Sequence, residues 1–200
     1  MKPIALDLAR TAFIPIDLQK GIVENGQTLP YPAKAVVKNN QKIAEALKNT
    51  PALMALVNVD YTTPQYLKPR TDQVVPVPTL TPEFNQLVLP IADDAEATNK
   101  ILVTKYNPGA FFGTDLDLQL RRRKIKTIIL SGIASGNGVY TTAIEAMQRG
   151  YRVIIIEDAS SDRDLDVHHF FFDNMFPKIG RIRSTKGILA SIENAKAAPA

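Results

Sequence analysis

Three places in the sequence carry residue types that could do chemistry together. The apolar run Thr11 to Asp17 ends in an acid, and a second run, Ile101 to Thr104, is followed by Lys105. A third run, Thr127 to Leu130, leads into Gly132-Ile133-Ala134-Ser135-Gly136-Asn137-Gly138-Val139-Tyr140-Thr141-Thr142-Ala143. A carboxylate beside an ammonium can move a proton or hold developing charge, and a glycine-rich turn opening a helix aims backbone N–H groups at an anion. Each signal is weak alone, because acids and lysines at strand ends are commonly surface residues or helix caps. Together they carry weight, since open α/β sheets bind ligands outside the carboxyl ends of their strands.

The elements that must position these residues follow from periodicity. Unbroken apolar runs at Thr11 to Asp17, Ala52 to Val59, Ile101 to Thr104, Thr127 to Leu130 and Val153 to Ile156 read as buried strands, with a short sixth around Gly180 to Arg183. Helical spacing marks Ala33 to Lys48, Asp115 to Arg123, Gly138 to Arg149, Asp164 to Met175 and Lys186 to Asn194. Strands alternating with helices, and apolar throughout, indicate a mostly parallel six-stranded sheet in a three-layer α/β/α, Rossmann-like arrangement. The expectation is a single domain over residues 1–200 with a frayed Ala/Pro-rich tail at 195–200. Pro15 conflicts with a regular central strand and predicts an edge position, a bulge or an early strand end. The stretch Thr62 to Ala97, with Pro64, Pro69, Pro76, Pro78, Pro82 and Pro90, reads as a long loop with at most a helical turn or two near Glu83 to Leu89. Tyr61, Tyr66, Lys68 and Arg70 give it the composition of a binding loop, though it could equally pack for its own sake.

Composition excludes several function classes. With 200 residues, 45% hydrophobic and 22% charged, the chain is long enough to bury one sizeable core. It has no cysteine, so disulfides, thiolate metal sites and sulfur redox chemistry are out. No apolar run is long enough to span a membrane, and the N-terminus lacks a signal-peptide core, so a cytoplasmic location with no membrane partner is expected. The net charge of +4 and the run Arg121-Arg122-Arg123-Lys124 do not amount to a nucleic-acid site. These side chains end a helical pattern, where positive charge complements the helix dipole.

The segments Ile16-Asp17-Leu18-Gln19, Lys105-Tyr106-Asn107-Pro108-Gly109-Ala110-Phe111-Phe112-Gly113-Thr114-Asp115-Leu116 and Gly132 to Ala143 resemble the signatures of isochorismatase-like cysteine hydrolases, in order and at suitable separation. The resemblance covers about residues 10–190. It implies that Asp17 is the proton-transfer group, that Lys105 holds the charges, and that Gly138 stands where the family usually has its nucleophilic cysteine. It further implies a cis peptide between Ile133 and Ala134, backbone amides of Ala134 and Gly138 facing a reacting oxyanion, and a phenylalanine from the pair Phe111 and Phe112 lining the pocket. Tyr61, Phe111, Ala134 and Ser135 are therefore taken as substrate-binding positions.

Glycine offers no nucleophile, so thioester chemistry is excluded. Ser135 is the nearest hydroxyl, but its flanks do not form a Gly-x-Ser-x-Gly elbow and neither histidine is placed by sequence to serve it, which leaves a turn or N-cap role. Isochorismatases hydrolyse a vinyl ether, a reaction attributed in the family to the aspartate and water, and some of them also lack the cysteine. The resemblance therefore implies acid/base hydrolysis of a small-molecule substrate through Asp17, or alternatively a silent binding or scaffold protein that keeps the pocket. On this reading Gly138 is space, with a backbone amide directed at the ligand. Burial would raise the pKa of Asp17 and Lys105 would lower it, and the winner is not legible in sequence.

No cofactor and no metal are expected. The nicotinamidase-type metal motif Asp-x-His reads Asp60-Tyr61-Thr62 here, and the only histidines, His168 and His169, are adjacent and face differently on a helix, one partly buried and one exposed. A dinucleotide reading, from Gly136-Asn137-Gly138 with Glu157 or Asp158 about 20 residues on, leaves Asp17 and Lys105 unexplained. The cluster Phe170-Phe171-Phe172 with Met175 and Phe176 reads either as core or as the face of a homodimer or higher homo-oligomer.

Overall fold

The computed structural model describes residues 3–66, 68–72 and 80–198. Pro76 and Pro78 of the proline-rich stretch and Pro199 and Ala200 of the tail lie outside the described residues. Six parallel strands, β1 (Thr11–Ile16), β2 (Leu53–Val59), β3 (Lys100–Lys105), β4 (Thr127–Ile133), β5 (Arg152–Ser161) and β6 (Arg181–Arg183), form one sheet in the order β3-β2-β1-β4-β5-β6. Among the described residues six α-helices accompany them: α1 (Lys20–Val23), α2 (Ala33–Leu47), α3 (Leu116–Arg122), α4 (Tyr140–Gln148), α5 (Leu165–Phe170) and α6 (Thr185–Ala197). The chain winds outward in one direction from β1 to β3 and in the other from β4 to β6. The order therefore reverses between β1 and β4, the crevice where such sheets bind ligands.

Both faces of the sheet are covered, which is why the strands read as continuous apolar runs. Ala12, Ile14, Ile16, Ile128 and Leu130 pack with Leu116, Leu120, Ala143 and Ala146 of α3 and α4. Phe13, Met54, Leu56, Ile129 and Ile154 pack on the opposite face with Val36, Ile43, Ile188 and Ile192 of α2 and α6. Alternate residues of one strand thus serve alternate layers.

The expectations from Pro15 fail, because β1 is a central strand. Its register with β4 is continuous through Pro15 and Ser131, whereas its register with β2 holds at Phe13–Met54 and resumes at Ile16–Val57. The missing N–H costs the ladder on the β2 side only, and Asp17 N–H closes the gap by donating to Val57 O at 2.9 Å. Gly132 explains the close approach on the β4 side: its φ is +124°, and a Cβ there would lie 2.1 Å from Ile16 O.

Other expectations need adjusting. Residues 82–85 form a turn rather than a helix, and Leu87 makes an antiparallel bridge with Gln19. The tail does not fray at Ala195: α6 continues to Ala197, as its alanines favour, and Ala195 packs on the core beneath it. The expected helix from Gly138 is split into a π turn over Ser135–Val139 followed by α4, and that from Asp164 into α5 and a second π turn, Phe171–Met175. The aromatic run divides by face, with Phe172 and Phe176 buried and Phe170 exposed. Among the described residues no helix is long and apolar enough to cross a membrane.

Candidate functional site

Asp17 leaves the end of β1 with φ +56°, a left-handed conformation that aspartate tolerates better than most side chains. Gln19, fully buried, fixes this exit: its amide nitrogen donates to Val59 O and Phe84 O, both at 3.0 Å, and its oxygen accepts from Val59 N–H at 2.7 Å. Lys105 is the last residue of β3, two strands away, a separation of roughly 10 Å at normal strand spacing. Its long side chain spans that gap beneath the surface and brings Nζ to 2.9 Å from Asp17 Oδ2. Asp17 is 6% exposed and Lys105 1%.

The loop after β3 completes the setting. Lys105 Nζ also donates to Pro108 O at 2.6 Å, and Ala110 N–H donates to Thr142 Oγ1 at 3.2 Å. Phe111 N–H donates to Glu145 Oε2 at 3.1 Å, and Thr142 Oγ1 in turn donates to Gly138 O at 2.7 Å. Thr142 thus ties the lysine loop to the glycine turn. The Glu145 carboxylate occupies the position of a side chain at Gly109, so any larger residue there would have to displace it and with it the bond to Phe111 N–H.

The turn itself brings Gly138 against the ion pair. A Cβ at Gly138 would lie 3.0 Å from Ile16 Cγ2, 3.1 Å from Asp17 Oδ2 and 3.3 Å from Lys105 Nζ. The space that glycine leaves at 138 is therefore tight, with room for a Cβ only if a neighbour gives by a few tenths of an ångström. A Cβ there would stand closer to these three atoms than ordinary van der Waals contact, so the neighbours leave less than a methyl's room beside the glycine. The peptide between Ile133 and Ala134 is cis, in agreement with expectation.

Burial raises the pKa of Asp17, outweighing the opposing charge and hydrogen bond of Lys105. Its two oxygens are not equivalent, because Oδ2 accepts from Lys105 while Oδ1 is buried without a hydrogen-bond partner. A proton on this carboxyl group belongs on Oδ1, since a proton on Oδ2 would face the ammonium. Tyr61, half-buried, has its phenol pushed up to about 12 by burial first and then by the charge of Asp17, which places it in electrostatic range of the carboxylate. Its ring packs against Tyr66 at 4.7 Å and Phe84 at 5.8 Å. Phe84 in turn lies on Gly21, where a Cβ would meet its ring at 2.0 Å.

Two of the expected positions change role. Phe111 is a core residue rather than a pocket wall: its ring lies 5.9 Å from that of Tyr151 and beneath Arg149, at 4.8 Å from the guanidinium carbon. Ser135 is engaged by a histidine that its sequence position did not place beside it: Ser135 Oγ and His168 Nδ1 are 2.9 Å apart and both residues are fully buried. His169 is exposed, as adjacency on a helix dictates. Sequence reasoning missed Asp162, whose Oδ2 accepts from Gly136 N–H at 2.7 Å. The signal was available, for Asp162 follows the end of β5 as Asp17 follows β1, but the apolar run that marks the strand stops five residues early, at Ile156.

Neither cofactor reading finds a fit in these residues. Asp60 Oδ1 accepts from Thr62 N–H at 2.7 Å and from Thr62 Oγ1 at 2.6 Å, and both histidines lie on α5, so the Asp60-Tyr61-Thr62 segment has no histidine to complete a metal set. In the dinucleotide reading one of the two candidate acids and one amide are already engaged, because Asp158 Oδ1 is held by Thr185 and the Gly136 N–H by Asp162.

The geometry agrees with what the chain is similar to. A family model described as the isochorismatase domain matches residues 11–187. The isochorismatase family protein YwoC of Bacillus subtilis is 38% identical over 200 residues, covering 96% of this chain and 100% of its own. YecD of Escherichia coli, of the same family, is 36% identical over 191 residues, covering 94% and 100%. The structure of an isochorismatase family protein from Burkholderia thailandensis superposes with a TM-score of 0.85 at 33% identity, over 96% of this chain and 100% of that one. On the family match, the sheet order and the placement of Asp17, Lys105 and the Gly138 turn at its switch point, the chain belongs to the isochorismatase family.

Proposed function

We propose that the chain is a hydrolase of a small molecule that works by acid/base catalysis through Asp17, with Lys105 as its charge partner and with no covalent intermediate. The observation that carries this reading is the buried, unpartnered Asp17 Oδ1 beside an ammonium that engages only Oδ2. The raised pKa keeps a proton available on Oδ1 at higher pH than an ordinary carboxyl would. In the forward step Oδ1 gives this proton to the substrate and becomes a carboxylate stabilised by Lys105. Water then adds to the protonated substrate and the proton it loses returns to Oδ1; the adduct collapses as its bond to the leaving group breaks and that group takes up the proton of the adduct's hydroxyl, so that the net reaction consumes one water. General acid/base catalysis of this kind contributes about a hundredfold to ten-thousandfold. Tyr61, with Tyr66 and Phe84 behind it, supplies an aromatic wall within range of the carboxylate.

The near-complete burial of Asp17 and Lys105 favours a second reading, a binding or scaffold protein in which the pair is structural. One experiment separates them. A panel of small ethers, esters and amides, including isochorismate, is incubated with the wild type and with Asp17→Asn, and the products are followed by mass spectrometry. Turnover that disappears in Asp17→Asn supports the hydrolase. Turnover that survives removes Asp17 from the mechanism, and a blank panel with a ligand bound in calorimetry supports the binding protein.

A further inference from the structure

The segment that begins after β5 grips the glycine turn at three points. The Asp162 carboxylate accepts from Gly136 N–H, and His168 Nδ1 bonds to the Ser135 hydroxyl. Val167 and Phe171 lie so close over Gly136 that a Cβ there would meet them at 2.6 Å and 2.8 Å. The imidazole is itself wedged, 4.5 Å from the ring of Phe172 and edge-on to Tyr31 at 5.9 Å. Packing alone does not account for a histidine here, because its Nε2 is left buried without a partner. A phenylalanine would fill the same aromatic pocket without that cost.

We propose that His168 is a positioning residue: by holding the Ser135 hydroxyl, together with Asp162 on Gly136, it fixes the turn that sets Gly138 against Asp17 and Lys105. The inference rests on the proposed function, in which Asp17 and Lys105, the pair set against that turn, act on the substrate. Burial, reinforced by His169 and opposed by Asp173, pushes the His168 pKa down to about 4, so the ring is neutral at physiological pH. This also separates the role from that of a general base. An imidazole so weakly basic takes up a serine proton poorly, and the hydroxyl it holds is fully buried.

The test separates the hydrogen bond from the ring. His168→Phe keeps an aromatic in the pocket and loses the bond, whereas His168→Asn loses the ring but places an amide where Nδ1 stood. Hydrogen exchange of the peptide covering residues 134–139 is followed by mass spectrometry in the full chain, with thermal melting as the control for global stability. His168→Phe is expected to speed exchange in that peptide roughly tenfold while the other β4 and α4 peptides hold, and His168→Asn to restore most of the protection despite a lower melting temperature. Ser135→Ala should reproduce the effect of His168→Phe and add nothing in the double variant. Unchanged exchange in His168→Phe, exchange in His168→Asn as fast as in His168→Phe, or additive single variants would each overturn the proposal. None of these readouts uses turnover. A failed clamp therefore leaves the Asp17 reading standing, and a failed hydrolase screen leaves the clamp standing.

Discussion

Two buried polar devices flank the same glycine turn, and they solve the problem of burial in opposite ways. Asp17 and Lys105 bury an ionisable pair in contact at 2.9 Å, with Pro108 O accepting a second lysine N–H. Ser135 and His168 carry no charge, and each leans on the other. A buried ion pair gains strong attraction but must offset a large desolvation cost, so it adds little net stability while being expensive to break. A neutral hydrogen bond costs less to bury and contributes about 1 kcal/mol. The first device therefore stores reactivity and the second supplies rigidity, and each one's response to pH has the opposite sign.

Breaking the charged device should give the largest effect. Lys105→Met leaves the Asp17 carboxylate buried without its cation, an arrangement that costs about 3–5 kcal/mol when the charge persists. Because the pKa of Asp17 is already raised, the acid can escape by taking up a proton, so the loss should be much smaller near pH 5 than at pH 8. Urea unfolding at the two pH values measures this difference. A loss of equal size at both would mean that Asp17 is not the group left behind.

The neutral device should respond to acid. The folded-state pKa of His168, about 4, lies below its ordinary value of 6.5, so the unfolded chain binds the proton more tightly between those values. Its contribution is present above pH 6.5 and falls away as pH drops toward 4, by on the order of 3 kcal/mol for a shift of this size. The stability curve of His168→Phe should be flatter over that window than that of the wild type. Asp17 has the reverse sign: its folded-state pKa is raised, so its contribution is full below the ordinary carboxylate pKa and is lost as pH climbs through the folded value. Asp17→Asn should remove that decline and leave the acid limb set by His168 intact. If both variants flattened the same limb, the two devices would be one coupled network.

The contrast also shows what a sequence can carry. Asp17 and Lys105 were legible because each ends an apolar strand, and strand ends of an α/β sheet converge on one rim. The parallel sheet and its two covered faces followed from the same unbroken runs. The clamp was not legible, since Ser135 and His168 are 33 residues apart and no periodicity relates a π turn to the helix packed across it. Pro15 misled because its cost depends on which neighbour needs the N–H, a question of register rather than composition. Gly138 misled in another way: the identity of a residue does not say whether its neighbours have moved in.

That last point yields the smallest and most local prediction. Gly138→Ala adds one methyl where Ile16, Asp17 and Lys105 already stand 3.0 to 3.3 Å away. Ordinary overpacking of a core costs about 1–3 kcal/mol, while replacing glycine by alanine in a helical turn returns roughly 0.5–1 kcal/mol. The expected balance is a loss of about 1 kcal/mol, taken mostly from the ion pair, because a strand-held Ile16 yields less readily than the end of a lysine side chain. The carboxyl carbon of Asp17, followed by carbon NMR, should then titrate higher than in the wild type, since pushing Nζ away weakens the one interaction that lowers its pKa. An unchanged titration with unchanged stability would mean that the turn relaxes freely and that Gly138 is open space after all. A raised titration with the clamp peptide still protected would show that the ion pair yields before the turn does.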